Sequence, residues 1–304
     1  MTIMTRMFSR TSKWRGILLL LLPAVALQAA IGIYPLIYII WMAFHRYKLT
    51  RPGNYPFVGL DNFSTAISSG AFVQSLIPTL LFSAISVAGI LILGLSTASL
   101  LNRSFRGVGF LKTATIIPWA IPYVAVGLIW ATVFNGQWGL LNKLLYSLGV
   151  LDVQDYIPWM VSKGTAMAGI CVAQIWKEMP FAVIFFLAGL QTIPTSLLEA
   201  ARIDGAASRH ILIHITLPLL RPILAMVGIY ECFQAFTMFD IVYVMTGGGP
   251  AGSTELLAHL SYRTSFSYLD FGRGAALALL LTAILLISAT LLLQGIGFRK
   301  AGEE

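Results

Sequence analysis

The chain has 304 residues, of which 58% are hydrophobic and only 11% are charged, and its mean hydropathy is +0.82. Soluble domains carry about 25% charged residues because their surface faces water, so this composition excludes an ordinary soluble protein and predicts an integral membrane protein. The net charge of +8 does not indicate nucleic-acid binding, since Lys and Arg stand in short segments beside apolar runs, as in the cytoplasmic loops of membrane proteins.

The first predicted element is a membrane span that follows a basic segment, residues 1–15. A secretory signal peptide has an apolar core of about 7–15 residues and a small-residue cleavage site. The apolar run here, 16–44, is longer than that and has no such site at a suitable distance. It is long enough for a spanning helix, which needs about 20 residues, so we expect an uncleaved first span.

Five further runs are long and apolar enough to cross a bilayer. The six predicted spans are 16–44, 73–101, 113–134, 165–190, 217–245 and 271–297. Pro118 and Pro122 predict a kinked or broken third span, because proline removes a backbone donor. We therefore predict an all-α fold with one transmembrane domain at 16–298, between tails at 1–15 and 299–304.

The distribution of basic residues predicts the orientation. With both termini in the cytoplasm, the inner segments hold twelve of the twenty basic residues and the outer segments seven, with Lys177 assigned to neither side. Cytoplasmic loops carry the excess of Lys and Arg. The clearest inner segment is 102–112, which has three bases and no acid.

The segment 191–218, between the fourth and fifth spans, has the pattern of a helix, a break and a second helix. Pro194 suits a first helical turn that Thr192 caps, and residues 197–204 are mostly good helix formers. Gly205 then permits a left-handed or sharply turned backbone.

The remainder of this loop favours contact with another surface. Residues 206–214 form a second amphipathic stretch, and Leu217 and Pro218 open the fifth span. Ala200 and Ala201 are small enough for a close approach. The polar side chains beside them are Glu199, Arg202 and Asp204. Such a helix either docks into a groove on a partner or lies at the membrane interface without one, and the residue pattern leaves both interpretations open.

The fixed positions of the loop follow a recognisable spacing. They are Glu199-Ala200-Ala201, three residues, Gly205, nine residues, Ile215, one residue, and Leu217-Pro218. This spacing resembles the EAA signature of permease subunits of binding-protein-dependent ABC importers. Three segments resemble the carbohydrate-uptake branch, namely FVGLDNF at 57–63, TGGGP at 246–250 followed by Ser253-Thr254, and YLDFGRGAA at 268–276. The likeness is to the first permease of maltose and glycerol-phosphate transporters and runs from about residue 15 to 298.

The resemblance implies a type I-like permease whose segment 197–209 is a coupling helix in a cleft of an ATPase subunit. The residues it assigns to this coupling are Glu199, Ala200, Ala201, Arg202, Asp204, Gly205, Ile215, Leu217 and Pro218. It implies a second, different permease, an ATPase dimer and an extracytoplasmic solute-binding protein as partners in a bacterial or archaeal inner membrane. ATP and Mg would be bound by the ATPase, because this chain has no Walker A sequence. We expect no cofactor, metal, catalytic residue or enzyme activity in it.

Polar residues within apolar spans are costly and mark candidate functional sites. In the fifth span Glu231, Gln234 and Thr237 share a helical face at a spacing of three, and we expect Asp240 to continue that line. Aromatic rings beside them suit a carbohydrate path, because sugar C–H faces pack on rings while hydroxyls need hydrogen bonds. These rings are Phe233, Phe236 and Tyr243. The alternative is structural, with Glu231 or Asp240 bonded to the partner permease or paired with Lys177 or Arg221.

The outer segment Gly247-Gly248-Gly249-Pro250 is a further candidate site. A phosphate-binding glycine loop follows a strand, whereas this one follows a membrane span, so we expect a contact with the binding protein. The predicted function is the permease subunit of an importer for a sugar or sugar derivative. The alternatives are a glycerol-phosphate or polyol importer of the same family and, more distantly, an ion-coupled secondary transporter, for which we find no inverted repeat.

Overall fold

The computed structural model describes residues 20–152 and 155–297. Within these residues the backbone forms no β-strand, and its only bridges are the isolated pairs His45–Phe57 and Lys48–Asp270. A helix satisfies its own backbone hydrogen bonds, which is the requirement that a bilayer imposes on a spanning segment. The predicted all-α membrane fold is confirmed.

Thirteen helices follow one another in the described part of the chain. They are α1 (Leu20–Ala43), α2 (Asp61–Ser68), α3 (Ala71–Leu101), α4 (Val108–Ala120), α5 (Tyr123–Val133), α6 (Leu140–Ser147), α7 (Lys163–Thr192), α8 (Thr195–Ile203), α9 (Ser208–Leu219), α10 (Arg221–Phe236), α11 (Asp240–Met245), α12 (Leu257–Tyr262) and α13 (Phe271–Ile296). Single turns of π-helix occur within α1 and α9 and directly after α12.

Four of these helices, α1, α3, α7 and α13, are each long and apolar enough to cross a membrane. Two bent pairs, α4 with α5 and α9 with α10, raise the number to six if each pair is one span. The count agrees with the predicted six spans. The predicted cytoplasmic tails, 1–15 and 299–304, lie outside the described residues, so that division of the chain stays a prediction.

The third span is broken at Ile121 and Pro122, where α4 and α5 meet at 102°. Ile121 has an extended backbone, with ψ at 131°, as the residue before a proline prefers. Pro122 then starts α5 without an N–H of its own to donate. The break predicted from Pro118 and Pro122 is therefore present, and it exposes backbone carbonyls inside the membrane domain.

The predicted fifth span needs correction at both ends. Leu217 and Pro218 do not open it, because they still belong to α9, which bends by 73° into α10 at Arg221. Pro222, in the first turn of α10, lacks the N–H that would continue the ladder. At the other end the helix stops at Phe236, and Asp240 starts the separate helix α11.

Helices α3 and α7 form the most extensive contact of the fold, and glycines allow them to approach closely. A Cβ at Gly94 would lie 2.7 Å from the Cβ of Ala182, and a Cβ at Gly89 would lie 2.5 Å from Ile175. Small residues promote such contacts between membrane helices, because van der Waals packing replaces the hydrophobic effect there. The pair forms a rigid frame on which α5 and α10 lie.

Helix α1 stands apart from this frame. None of its most apolar window is buried, and it packs against α13 near its end, where Ala43 meets Ala275 and Ala276. Its large apolar surface suits contact with lipid or with another membrane subunit.

Candidate functional site

The predicted coupling segment forms the short helix α8, Thr195–Ile203, in the connection between α7 and α9. Pro194 precedes it, and no side chain caps its N-terminus. The expected cap by Thr192 is wrong, because Thr192 is the last residue of α7 and its hydroxyl donates to the Gly189 carbonyl oxygen at 2.8 Å. Sequence spacing alone does not reveal that α7 extends so far.

The C-terminus of α8 is closed by two backbone hydrogen bonds. The Ala206 N–H donates to the Ala201 carbonyl at 2.9 Å, and the Gly205 N–H donates to the Arg202 carbonyl at 3.0 Å. Gly205 has φ of +82°, the left-handed conformation that this Schellman motif requires. A Cβ at Gly205 would meet no atom within 4 Å, so a side chain would not clash there. The glycine is required because of the left-handed backbone conformation.

Helix α8 is accessible on its surface, since none of its residues is buried. Ile203 is 86% exposed and Leu197 is 42% exposed. The predicted polar contact residues, Glu199, Arg202 and Asp204, are exposed as well. An exposed apolar patch with a polar rim is typical of a protein–protein contact.

The second half of the predicted motif lies on α9. Ile215, Leu217 and Pro218 are half-buried and belong to its π-turn or the residues after it. Pro218 has no N–H for the carbonyl four residues earlier, and the wider π-turn at Leu212–Thr216 accommodates this loss. These residues therefore lie on the helix that follows α8 in the chain and leads into α10.

A cluster of polar side chains lies where the third span breaks. The Lys177 Nζ donates to the Trp119 carbonyl oxygen at 2.7 Å and lies 3.6 Å from Glu178 Oε1. It also lies 4.8 Å from the centre of the Tyr123 ring. Lys177 and Glu178 are buried. Of the structural alternatives for Glu231 and Asp240, pairing with Lys177 is not observed among the described residues, where the carboxylate within 4 Å of Lys177 is Glu178.

Tyr123 connects three spans through its hydroxyl group. The hydroxyl donates to Glu178 Oε1 on α7 and accepts from Gln234 Nε2 on α10 at 2.8 Å. Trp119, Phe181 and Tyr230 flank the cluster, with the Phe181 and Tyr230 rings stacked at 4.0 Å. We call these polar groups, Tyr123, Lys177, Glu178 and Gln234, the central polar cluster.

Several buried polar atoms beside the central polar cluster have no hydrogen-bond partner in the described part of the protein. They include both carboxyl oxygens of Glu231, Glu178 Oε2 and the amide of Gln174. Burying such groups without partners is unfavourable, and polar groups at membrane depth typically mark a transport path. Among the described residues no group of three His, Cys, Asp or Glu side chains is placed to hold a metal ion.

The residues predicted to line the substrate path do not all lie together. Phe233 is 53% exposed and lies one residue before Gln234, while the Thr237 hydroxyl donates to the Phe233 carbonyl at 2.7 Å. Phe236 faces the opposite way, buried in a core with Leu257.

Asp240 and Tyr243 lie on α11, beyond the end of α10. Asp240 therefore does not continue the line of Glu231 and Gln234 as expected. Sequence reasoning also missed Trp119 and Tyr123. The available signal for them was their position beside Pro122, at a break whose carbonyls need donors.

Buried polar groups pack against the glycine loop, residues 247–250, that follows α11. Gly248 has φ of +85°, and a Cβ there would lie 2.3 Å from Glu255 Oε2. Glu255 in turn binds His259 at 2.9 Å and Arg263 at 3.0 Å. The loop is therefore a fixed feature of the end of the fold at which α11 ends and α12 begins. The described residues do not show whether it contacts a binding protein, so that role stays a prediction.

Comparison with known proteins decides the family. The profile described as binding-protein-dependent transport system inner membrane component matches residues 90–301, a range that contains α8 and the central polar cluster. The chain belongs to this family. The permease is 38% identical over 283 residues to the trehalose/maltose transport system permease protein MalF of Thermococcus litoralis, covering 93% of this chain and 94% of the relative.

A second relative is the sulfoquinovosyl glycerol transport system permease protein SmoG of Agrobacterium fabrum. It is 38% identical over 266 residues, which are 88% of this chain and 85% of the relative. Among solved structures, a bacterial ABC transporter that imports the acidic polysaccharide alginate contains a chain of the same fold, with a TM-score of 0.80 at 20% identity over 96% of this permease and 98% of that chain. The predicted family is confirmed, and the chain is a multi-pass permease component of an ABC importer.

Proposed function

We propose that this permease forms half of the translocation path of an ATP-driven importer for a sugar or sugar derivative. The observation that carries the proposal is the exposed helix α8, closed by Gly205 in the connection between α7 and α9. A short helix with an apolar face and a fixed end suits a groove on a partner. In this proposal the partner is an ATPase subunit, and Glu199 is the acidic contact.

The sugar class is supported by two observations. The relatives described above are named for trehalose and maltose and for sulfoquinovosyl glycerol. The central polar cluster provides hydrogen-bonding groups beside aromatic rings such as Trp119 and Phe233, both of which are partly exposed. Pockets of this composition suit a sugar, whose hydroxyls need hydrogen bonds and whose C–H faces pack on rings. The proposed path residues are Phe233 and Gln234 on α10 and Thr237 directly after it.

The proposed complex contains a second, different permease, two ATPase subunits that bind ATP and Mg, and an extracytoplasmic solute-binding protein. Both termini of this chain are cytoplasmic. The loaded binding protein docks outside, and closure of the ATPase pair on ATP moves α8. The spans then expose the sugar path outward, and hydrolysis returns it to the cytoplasm. The permease itself contributes no bond chemistry.

Reconstitution of the complete complex in vesicles tests the proposal. We expect ATP-dependent uptake of a labelled disaccharide such as trehalose or maltose that requires the binding protein. Replacement of Glu199 by Lys should abolish ATP-coupled uptake, whereas the same charge reversal at Glu255→Lys should instead reduce assembly, because Glu255 is buried. Uptake that needs no ATP and follows an ion gradient would contradict the proposal and favour a secondary transporter.

A further inference from the structure

A polar cavity lies on the face of the permease opposite the coupling loop. Its volume is about 410 Å³, and the end of α1, the start of α2, the loop between them and the start of α13 enclose it. Its charged lining residues are Arg46, Lys48, Arg51, Asp61, Asp270 and Arg273. We call it the outer basic cavity. The proposed sugar path along α10 does not include this cavity.

The wall of the outer basic cavity is built from fixed contacts. The buried Asn62 side chain donates to the Ala43 carbonyl at 2.8 Å and to the His45 carbonyl at 2.9 Å. A Cβ at Gly272 would lie 2.4 Å from the His45 carbonyl oxygen, so α13 begins against the loop backbone. The Gly272 N–H donates to the Tyr47 carbonyl at 3.0 Å. The loop is therefore held in one position before any ligand arrives.

Positive charge exceeds negative charge in the outer basic cavity. Four bases face two acids, and both acids are already paired. Asp61 binds Arg46 at 3.5 Å, and Asp270 binds Lys48 at 3.0 Å. Arg273 is 3.9 Å from Asp270. Among the described residues Arg51 has no acidic partner within 4 Å, and it is exposed. The cavity thus carries an excess of two positive charges in a concave, prearranged surface, which attracts an anionic partner.

We propose that the outer basic cavity is the docking point for a group of carboxylates on the extracytoplasmic solute-binding protein. This inference rests on the proposed function. The lining is polar apart from Pro56, so no apolar wall is present to hold the acyl chains of a lipid. The side chains of Arg46 and Lys48 are 53% and 40% exposed, and water screens such charges from a small free ion. A protein surface excludes that water when it docks, and complementary charge then speeds association.

Association kinetics test the inference. The complete transporter is placed in nanodiscs of neutral lipid, and the probe is the solute-binding protein that stimulates its ATPase activity. We expect Arg51→Glu to lower the association rate constant about tenfold at low salt, because steering depends on local charge. Arg51→Lys should retain the wild-type rate. The matched control is Lys143→Glu, which makes the same charge change on an exposed outer residue of α6, outside the cavity.

The outcomes are distinct. Three results together support the inference. The association rate constant falls with Arg51→Glu, and a compensating Glu→Lys or Asp→Lys change on the binding protein restores it. In the wild type the rate constant also falls as salt rises. Equal effects of Arg51→Glu and Lys143→Glu, or no effect of either, overturn it. Competition by anionic lipid or by inorganic phosphate at millimolar concentration would also overturn it, in favour of those ligands. If no binding protein stimulates the ATPase activity of the wild-type complex, the proposed importer function is contradicted. If a binding protein does stimulate it but Arg51→Glu has no specific effect, only the docking site is contradicted.

Discussion

Gly205 determines the shape of the coupling loop through its backbone alone. Its φ of +82° lies in the region that side chains disfavour, and no atom stands near the position of a Cβ. The cost of a side chain is therefore conformational, about 1–2 kcal/mol for a left-handed residue other than glycine. Because α8 ends on the two hydrogen bonds that this conformation permits, strain at Gly205 changes the direction in which α8 leaves the membrane domain.

We expect Gly205→Ala to reduce ATP-coupled uptake several-fold and Gly205→Asn to reduce it less, since Asn tolerates the left-handed region. Uptake by reconstituted vesicles gives the measurement. Gly149→Ala is the matched control, because Gly149 also has positive φ (+69°) and open space around it but lies in a loop far along the chain from α8. Equal loss of uptake in Gly205→Ala and Gly149→Ala would contradict a specific role for Gly205.

Tyr123 has a single hydroxyl that serves partners on two other spans. We expect Tyr123→Phe to lower the free energy of unfolding by about 1–3 kcal/mol, because the buried Glu178 carboxyl group and the half-buried Gln234 amide each lose a partner. It should also raise the KM for sugar uptake if the central polar cluster lines the path. Thermal unfolding in detergent and uptake kinetics measure the two effects. Tyr156→Phe, at a ring that is 55% exposed, should change neither, and an unchanged melting temperature in Tyr123→Phe would refute the structural role.

At the scale of elements, the buried side chain of Asn62 connects α2 to the end of α1. It donates to the carbonyl of Ala43, the last residue of α1, and to that of His45, two residues further on. We expect Asn62→Ala to destabilise the protein by about 1–3 kcal/mol, since buried acceptors lose their donor. Thermal unfolding of the purified complex measures this change. The exposed Asn54→Ala is the control, and equal melting temperatures for both variants would show that the tether is dispensable.

The bends of the third and fifth spans differ in how well the sequence reveals them. Two prolines four residues apart mark the third break, and hydropathy falls little across it. In the fifth span the apolar run continues through Pro218 and Pro222, so hydropathy alone places its start too early. Hydropathy also places the end of this span too late, because neither Thr237 nor Met238 is a Pro or Gly that would signal the end of a helix. The spacing of Glu231 and Gln234 predicts that Asp240 continues the same helical face, and this is wrong because α10 ends at Phe236 and Asp240 starts a new helix.

For the whole molecule, the number of spans could be predicted because the bilayer imposes length and apolar composition on each one. The exposed helix α8 could also be predicted, since its C-terminal closure depends on the local residue Gly205, although its N-cap was not the predicted Thr192. The central polar cluster could not, because it depends on which helices pack together. Tyr123 and Glu178 are 55 residues apart in the sequence, and no local pattern links them.

Orientation of the whole molecule is open to direct measurement. We expect a membrane-impermeant maleimide to label Asn54→Cys in intact cells and Ser208→Cys only after permeabilisation, because the excess of basic residues places the coupling loop inside. The native Cys171 and Cys232 are buried and should give no background. Labelling of Ser208→Cys in intact cells would invert the proposed topology.

The bond from Lys177 to the Trp119 carbonyl has a consequence for biogenesis. The break of the third span leaves that oxygen without a backbone donor, and the ammonium that replaces it is 58 residues further along the chain. Synthesis runs from the N-terminus, so the ribosome must make the fourth transmembrane segment before the Trp119 carbonyl can receive this hydrogen bond. We therefore expect the third span to reach its final bent conformation only after the fourth segment lies beside it in the membrane.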